Sequence, residues 1–67
     1  MAVARVSKIT AASTKSFDDA VKSGLKRAGK TIRGITGLHV LEQKASVANG
    51  AIAEFRVTME ITFILEG

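Results

Sequence analysis

The sequence predicts an α+β domain in which one helix packs on one face of a three-stranded antiparallel sheet, giving two layers in the order β-α-β-β. Three observations predict this fold. Apolar and polar residues alternate near both ends of the chain, an apolar repeat with helical spacing lies between them, and an Asn-Gly pair joins the last two extended segments. The 67 residues are expected to form one domain, 1–67.

The first strand is predicted at VARVSKIT, residues 3–10. Its side chains fall into two alternating sets, and its β-branched residues favour an extended chain. The polar segment AASTKS then connects this strand to the helix.

The helix is predicted over residues 16–33. Ser16 is a suitable N-cap, with Asp19 at capping-box spacing in place of the usual Glu or Gln. Asp18 and Asp19 also put negative charge at the positive end of the helix dipole. Apolar residues recur at steps of three or four, forming one stripe: Phe17, Val21, Leu25, Ala28, Ile32 and Ile35. Gly34 is expected to end the helix.

The second and third strands are predicted to form a hairpin around Asn49-Gly50, the strongest short hairpin signal in the chain. The second strand is expected over GLHVLEQKASV, residues 37–47, and the third over residues 52–65. At about 3.3 Å per residue the third strand reaches roughly 46 Å, more than one helix can cover. Apolar surface is therefore expected to stay exposed, most clearly at Phe63 and Leu65, and such patches mark interfaces.

Composition favours an oligomer that uses neither disulfides nor thiolate zinc sites, because a chain this small is marginal alone and contains no cysteine. The formal net charge of +4 admits nucleic acid or phosphorylated ligands. No apolar run approaches the roughly 20 residues of a membrane span, and MAVARVSKIT lacks the apolar segment of a signal peptide. We therefore expect a cytoplasmic protein without a membrane span.

No catalytic set is recognisable in the sequence. The single histidine, His39, has no nucleophile or orienting acid at a familiar spacing. The segment GITG at residues 34–37 is too short for a phosphate-binding loop and lacks its lysine. We expect the protein not to be an enzyme.

With these elements assigned, the chain resembles the dodecins over nearly its whole length. The resemblance rests on SFDDA at residues 16–20, RAGKTIR at 27–33 and VTMEITFILE at 57–66, together with the chain length and hairpin position. It implies a hollow homododecamer with helices outside and sheets inside. Such a shell binds flavins, riboflavin or FMN, in pairs between subunits and stores or sequesters them. Some dodecins also bind coenzyme A, and one is described as binding calcium.

Two positions carried over from this resemblance define the expected ligand site. The family's flavin-stacking tryptophan corresponds to Gly37, and its flavin-bonding glutamine corresponds to Arg56. Glycine offers no ring and arginine lacks the acceptor of an amide, so we expect flavin affinity to be weak or absent. With a two-residue hairpin turn, Arg56 is expected to face Gln43 and Gly37 to face Thr62, which puts Gly37 and Arg56 on one sheet face.

Each of these residues also has a structural interpretation, and both interpretations stay open. Arg56 either contacts the ligand or pairs with a nearby glutamate. Gly37 either opens space for a ligand or simply begins a strand. Gln43 and Lys44 either hold a phosphate of FMN or coenzyme A, or line a solvated strand edge.

Two further ligand classes stay open. Glu42, Glu54 and Glu60 could gather around a symmetry axis and bind Ca²⁺, which takes several oxygen ligands. His39 is expected to face Glu60 and to serve packing or an interface rather than a metal. Nucleic acid is the rival partner, because the basic helix face permits phosphate contacts. It is disfavoured because the phenylalanines share the core side and leave no stacking platform for bases.

Overall fold

The computed structural model describes residues 3–65. The predicted order β-α-β-β is confirmed, with these bounds: β1 Val3–Ser13, α1 Phe17–Ala28, β2 Ile35–Ala48 and β3 Ala51–Leu65. The three strands form one antiparallel sheet in the spatial order β1-β3-β2, so the longest strand lies at the centre. Helix α1 packs over β1 and β3, and the buried residues Val57, Met59 and Ile61 of β3 form the centre of the core.

Hydrogen bonds between side chains and nearby backbone or side-chain groups fix the connection from β1 into α1. Ser16 Oγ accepts a hydrogen bond from the Asp19 N–H at 2.9 Å, which confirms Ser16 as the N-cap. The Asp19 carboxylate does not complete the predicted capping box. It accepts instead from the Ser13 hydroxyl at 2.6 Å, and Ser13 Oγ accepts from the Lys15 N–H at 2.9 Å. The end of β1 and the start of α1 are thereby tied together.

Helix α1 is shorter than predicted, because it ends at Ala28 instead of residue 33. The N–H of Gly29 still bonds to the Leu25 carbonyl, but the N–H groups of Lys30 and Thr31 bond to carbonyls only three residues back. This tighter turn ends the α-helix. Gly34 is not the helix stop; its φ of +75° turns the chain into β2.

The predicted apolar stripe is confirmed except at Leu25: Ala28 is buried, and Phe17, Val21, Ile32 and Ile35 pack against the core. The buried residues of α1 are the small ones, Ala20, Gly24 and Ala28, spaced four apart. Leu25, predicted to lie in the stripe, keeps 37% of its surface exposed. The helix approaches the sheet along its small side chains, and this leaves the larger Leu25 at the edge of the contact.

The predicted hairpin turn is confirmed. Asn49 and Gly50 have φ values of 53° and 76°, the two positive values that a type I′ turn requires. Gly37 faces Thr62 as predicted, but Arg56 faces Lys44 and not Gln43. The reason is an extra residue on β3 near the turn, since Val47 faces Ile52 but Ser46 faces Glu54. A β-bulge on β2, where Val40 faces Met59 and Glu42 faces Thr58, then restores the predicted register.

Exposed apolar surface lies at both ends of the sheet, whereas Phe63 is half-buried. At the end away from the hairpin, Val3 and Leu65 face each other and are 60% and 44% exposed. Val47 and Ile52 face each other across the hairpin and are 66% and 54% exposed. Leu65, the other predicted residue, is indeed exposed. The pairing of β1 with β3 stops at Ser13 and Phe55, so the hairpin beyond that point is a two-stranded ribbon without a helix over it.

Candidate functional site

The sheet face opposite α1 carries the predicted site residues. We call it the open face. The register across β1, β3 and β2 arranges it in four rows: Val6–Thr62–Gly37, Lys8–Glu60–His39, Thr10–Thr58–Glu42 and Ala12–Arg56–Lys44. Residues in one row lie about 4.8 Å apart between strands, and consecutive rows lie roughly 7 Å apart along a strand. The open face is therefore a broad, largely polar surface.

Gly37 lies at the exposed end of the first row. A Cβ built on this glycine would meet nothing within 4 Å, so the strand presents bare backbone to open space. Its neighbours on the open face are Thr62 in the same row and His39 in the next. A planar ligand can lie against this backbone, but it gains no aromatic stacking from it.

Arg56 lies on the same face as Gly37, as predicted, because β3 runs without a bulge from Thr62 to Arg56. The two positions are nevertheless far apart. Thr62, the residue opposite Gly37, lies six positions from Arg56 along β3, which amounts to about 20 Å. Within one chain Gly37 and Arg56 therefore cannot contact the same small ring.

The charges near Arg56 are already paired. Arg56 Nε donates to Glu54 Oε1 at 2.5 Å, and Lys44 Nζ lies 3.2 Å from Glu42 Oε1. Both pairs are largely solvent-exposed, so each contributes little to stability and either can open to meet a ligand. Gln43 faces Val57 and belongs to the helix side of the sheet.

Glu60 differs from the other acids of the open face. It lies between Lys8 on β1 and His39 on β2. His39 faces Glu60 as predicted, but Nδ1 and Oε1 are 3.7 Å apart, which is beyond hydrogen-bond distance. Both side chains keep their hydrogen-bonding capacity. Sequence reasoning assigned His39 to packing and did not bring Lys8 into the site, although the alternation of β1 already placed Lys8 with Val6 and Thr10.

The cavities of the described chain lie elsewhere. A groove of about 480 Å³ runs between α1 and β1 and contains none of the predicted site residues. Its lining is half apolar, with Ile9, Ala11, Ala28 and Ile32, and half polar, with hydroxyls and the Arg27 guanidinium. Within residues 3–65 no three acidic or histidine side chains gather into a metal-binding cluster. Among the described residues no helix has the length and apolar character that crossing a bilayer requires.

Comparison with known proteins decides the family. The Dodecin family model matches residues 3–66. The chain belongs to the dodecin family. Dodecins are non-enzymatic flavin-binding proteins that assemble as homo-oligomers around small ligands. A search of curated proteins gives no match.

Solved dodecin structures have the same fold as this dodecin. The dodecin from Streptomyces davaonensis is 30% identical, with a TM-score of 0.94 over 98% of this chain and 97% of that one. A mutant of the Thermus thermophilus dodecin is 25% identical, with a TM-score of 0.95 over the whole of both chains. The calcium dodecin from Mycobacterium tuberculosis is 28% identical, with a TM-score of 0.82 over 96% and 91%.

Proposed function

We propose that this dodecin is a cytoplasmic homododecamer that binds and buffers a flavin, riboflavin or FMN, or a related planar cofactor, without catalysing a reaction. Family membership supports this function. The observation that carries it is the uncovered surface around Gly37 on the open face, where a built Cβ would meet nothing within 4 Å and a planar ring has room.

The proposed site is shared between copies of the chain. Gly37 and Arg56 are about 20 Å apart on one subunit, so Arg56 reaches a ring bound at Gly37 only from a second copy. Lys44 faces Arg56 on the neighbouring strand, so it approaches the ring from the same second copy. The proposed site consists of Gly37, Arg56 and Lys44 without Gln43, which lies on the other face of the sheet.

The affinity for flavin is expected to be weak. A tryptophan at the Gly37 position would add about 0.5–1.5 kcal/mol of stacking, and its buried area would add roughly 25 cal/mol per Å². Glycine supplies neither contribution. Weak binding suits a buffer that must release its ligand readily.

Calcium and nucleic acid are less well supported as ligands. The acids proposed for calcium are dispersed, since Glu42 pairs with Lys44 and Glu54 pairs with Arg56. For nucleic acid, the open face within residues 3–65 offers no aromatic platform. Phe17 and Phe55 pack edge to face on the helix side of the sheet, with ring centroids 5.0 Å apart.

Fluorescence anisotropy tests the proposed function. Titrating the protein into dilute riboflavin is expected to raise the anisotropy, because a flavin bound to a large assembly tumbles slowly. The variant Gly37→Trp with Arg56→Gln is expected to bind more tightly and to quench flavin fluorescence. Lys26→Trp, on the exposed face of α1, supplies a tryptophan outside the site and should leave binding unchanged. No rise in anisotropy for either the native protein or the Gly37 variant would contradict the function.

A further inference from the structure

The row next to Gly37 has an ordered set of donors and acceptors. Lys8, Glu60 and His39 lie side by side on the three strands, on the open face. Lysine donates, the carboxylate accepts, and the imidazole presents a ring N–H as donor. From β1 to β2 the row therefore runs donor, acceptor, donor.

The central carboxylate is available to a ligand. Among the described acids of the open face, Glu42 and Glu54 each have a cation within 3.2 Å. Glu60 has His39 at 3.7 Å, too far for a hydrogen bond. Its side chain is 38% exposed, so it is partly desolvated yet reachable. A carboxylate in this position forms a strong hydrogen bond with an N–H group brought to it.

The row of Lys8, Glu60 and His39 also lies within reach of a ring bound at Gly37. It lies one step along the strands from Gly37 and Thr62, or roughly 7 Å. A ring system that covers Gly37 therefore places one edge over Lys8, Glu60 and His39, whereas Arg56 of the same chain is out of reach.

We propose that Lys8, Glu60 and His39 recognise the imide edge of the ligand, and that this dodecin selects planar rings carrying the sequence carbonyl, N–H, carbonyl. The imide N–H donates to the Glu60 carboxylate, and the two flanking carbonyls accept from Lys8 and His39. The flavin ring has such an edge at N3. This inference rests on the proposed function, because it takes the ring to lie at Gly37.

Two flavins that differ only at this N–H provide the test. Riboflavin is compared with 3-methylriboflavin, in which a methyl group replaces the N3 hydrogen, by anisotropy on the native protein. Losing one hydrogen bond to a charged group is expected to weaken binding about tenfold or more. Equal binding of the two flavins would overturn the inference and leave the proposed function intact. If neither flavin binds, even to Gly37→Trp, the proposed function fails and the inference fails with it.

Variants then assign the individual roles. Glu60→Ala is expected to remove the preference for riboflavin, while the control Glu42→Ala, which deletes an equal charge elsewhere on the open face, should keep it. Lys8→Ala and His39→Ala are expected to weaken the binding of riboflavin and 3-methylriboflavin by the same factor, because both flavins retain the two carbonyls. A preference that persists in Glu60→Ala would show that the N–H meets another group and would overturn the assignment.

Discussion

At the scale of single residues, Gly24 determines how closely α1 approaches the sheet. A Cβ on Gly24 would lie 2.7 Å from Met59 Cε and 2.9 Å from Ala11 Cβ, both closer than side chains normally pack. The methionine tip can shift, but Ala11 Cβ is fixed to the backbone of β1. The absence of a side chain at Gly24 therefore sets the distance between the two layers.

The prediction at this scale compares two glycine-to-alanine changes, one inside α1 and one at its C-cap. Alanine favours helix over glycine by up to about 1 kcal/mol, but overpacking costs about 1–3 kcal/mol, so Gly24→Ala is expected to destabilise the protein. Gly29→Ala adds the same methyl where the nearest heavy atom is 3.4 Å away and φ is −63°, so it should be neutral or slightly stabilising. Urea unfolding of both variants at equal subunit concentration measures the difference. A Gly24 variant at least as stable as the Gly29 variant would show that the layers adjust freely.

At the scale of elements, the β2–β3 ribbon is one part of the fold that a single chain leaves uncovered. It extends beyond the paired end of β1, and its residues 45–53 carry no charge. Val47 and Ile52 face each other and form its apolar pair. An exposed apolar patch at the end of a small domain favours contact with another copy of the chain.

The ribbon prediction concerns assembly. Ile52→Asp is expected to lower the assembly mass, because an interface would have to bury an unpaired carboxylate. Thr14→Asp introduces the same charge in the exposed turn before α1 and should leave the mass unchanged. Light scattering after size-exclusion chromatography measures both variants, and twelve 7.1 kDa chains amount to about 85 kDa. An Ile52→Asp protein of undiminished mass would exclude the ribbon from the assembly contacts.

The elements also show which features the sequence was able to predict. The strands and the Asn49-Gly50 turn were predictable because alternation and turn chemistry are local properties. The bulge on β2 was not, since neither Leu41 nor its neighbours carry a glycine or another bulge signal. A second irregularity, the extra residue of β3 between Ile52 and Glu54, placed Lys44 rather than Gln43 opposite Arg56. The alternation of side chains along the strands correctly predicted that Gly37 and Arg56 share a sheet face. Alternation carries no information on distance, so it did not predict their separation along the strand.

At the scale of the whole molecule, the chain is more extended than a compact domain of its length. Its dimensions are 52 × 19 × 13 Å, and its radius of gyration is 13.8 Å, against about 11 Å for a compact domain of this length. Its accessible surface is 4898 Å², against about 4,100 Å² for a folded monomer of this mass. The excess of about 800 Å² equals the area that a standard interface covers on each partner.

Stability is therefore expected to depend on protein concentration. If folding and assembly are coupled, dilution favours the unfolded chain by mass action. For a dodecamer, about a hundredfold dilution lowers the free energy of unfolding by roughly 2.5 kcal/mol per subunit. A loss of this size lowers the thermal midpoint of a domain of this length by roughly 10 °C or more. Circular dichroism melts across that concentration range measure the shift, and Ile52→Asp, if it folds as a separate chain, should show a midpoint independent of concentration. A native protein with a constant midpoint and the mass of one subunit would mean that five buried apolar side chains, Ala20, Ala28, Val57, Met59 and Ile61, suffice to hold the fold.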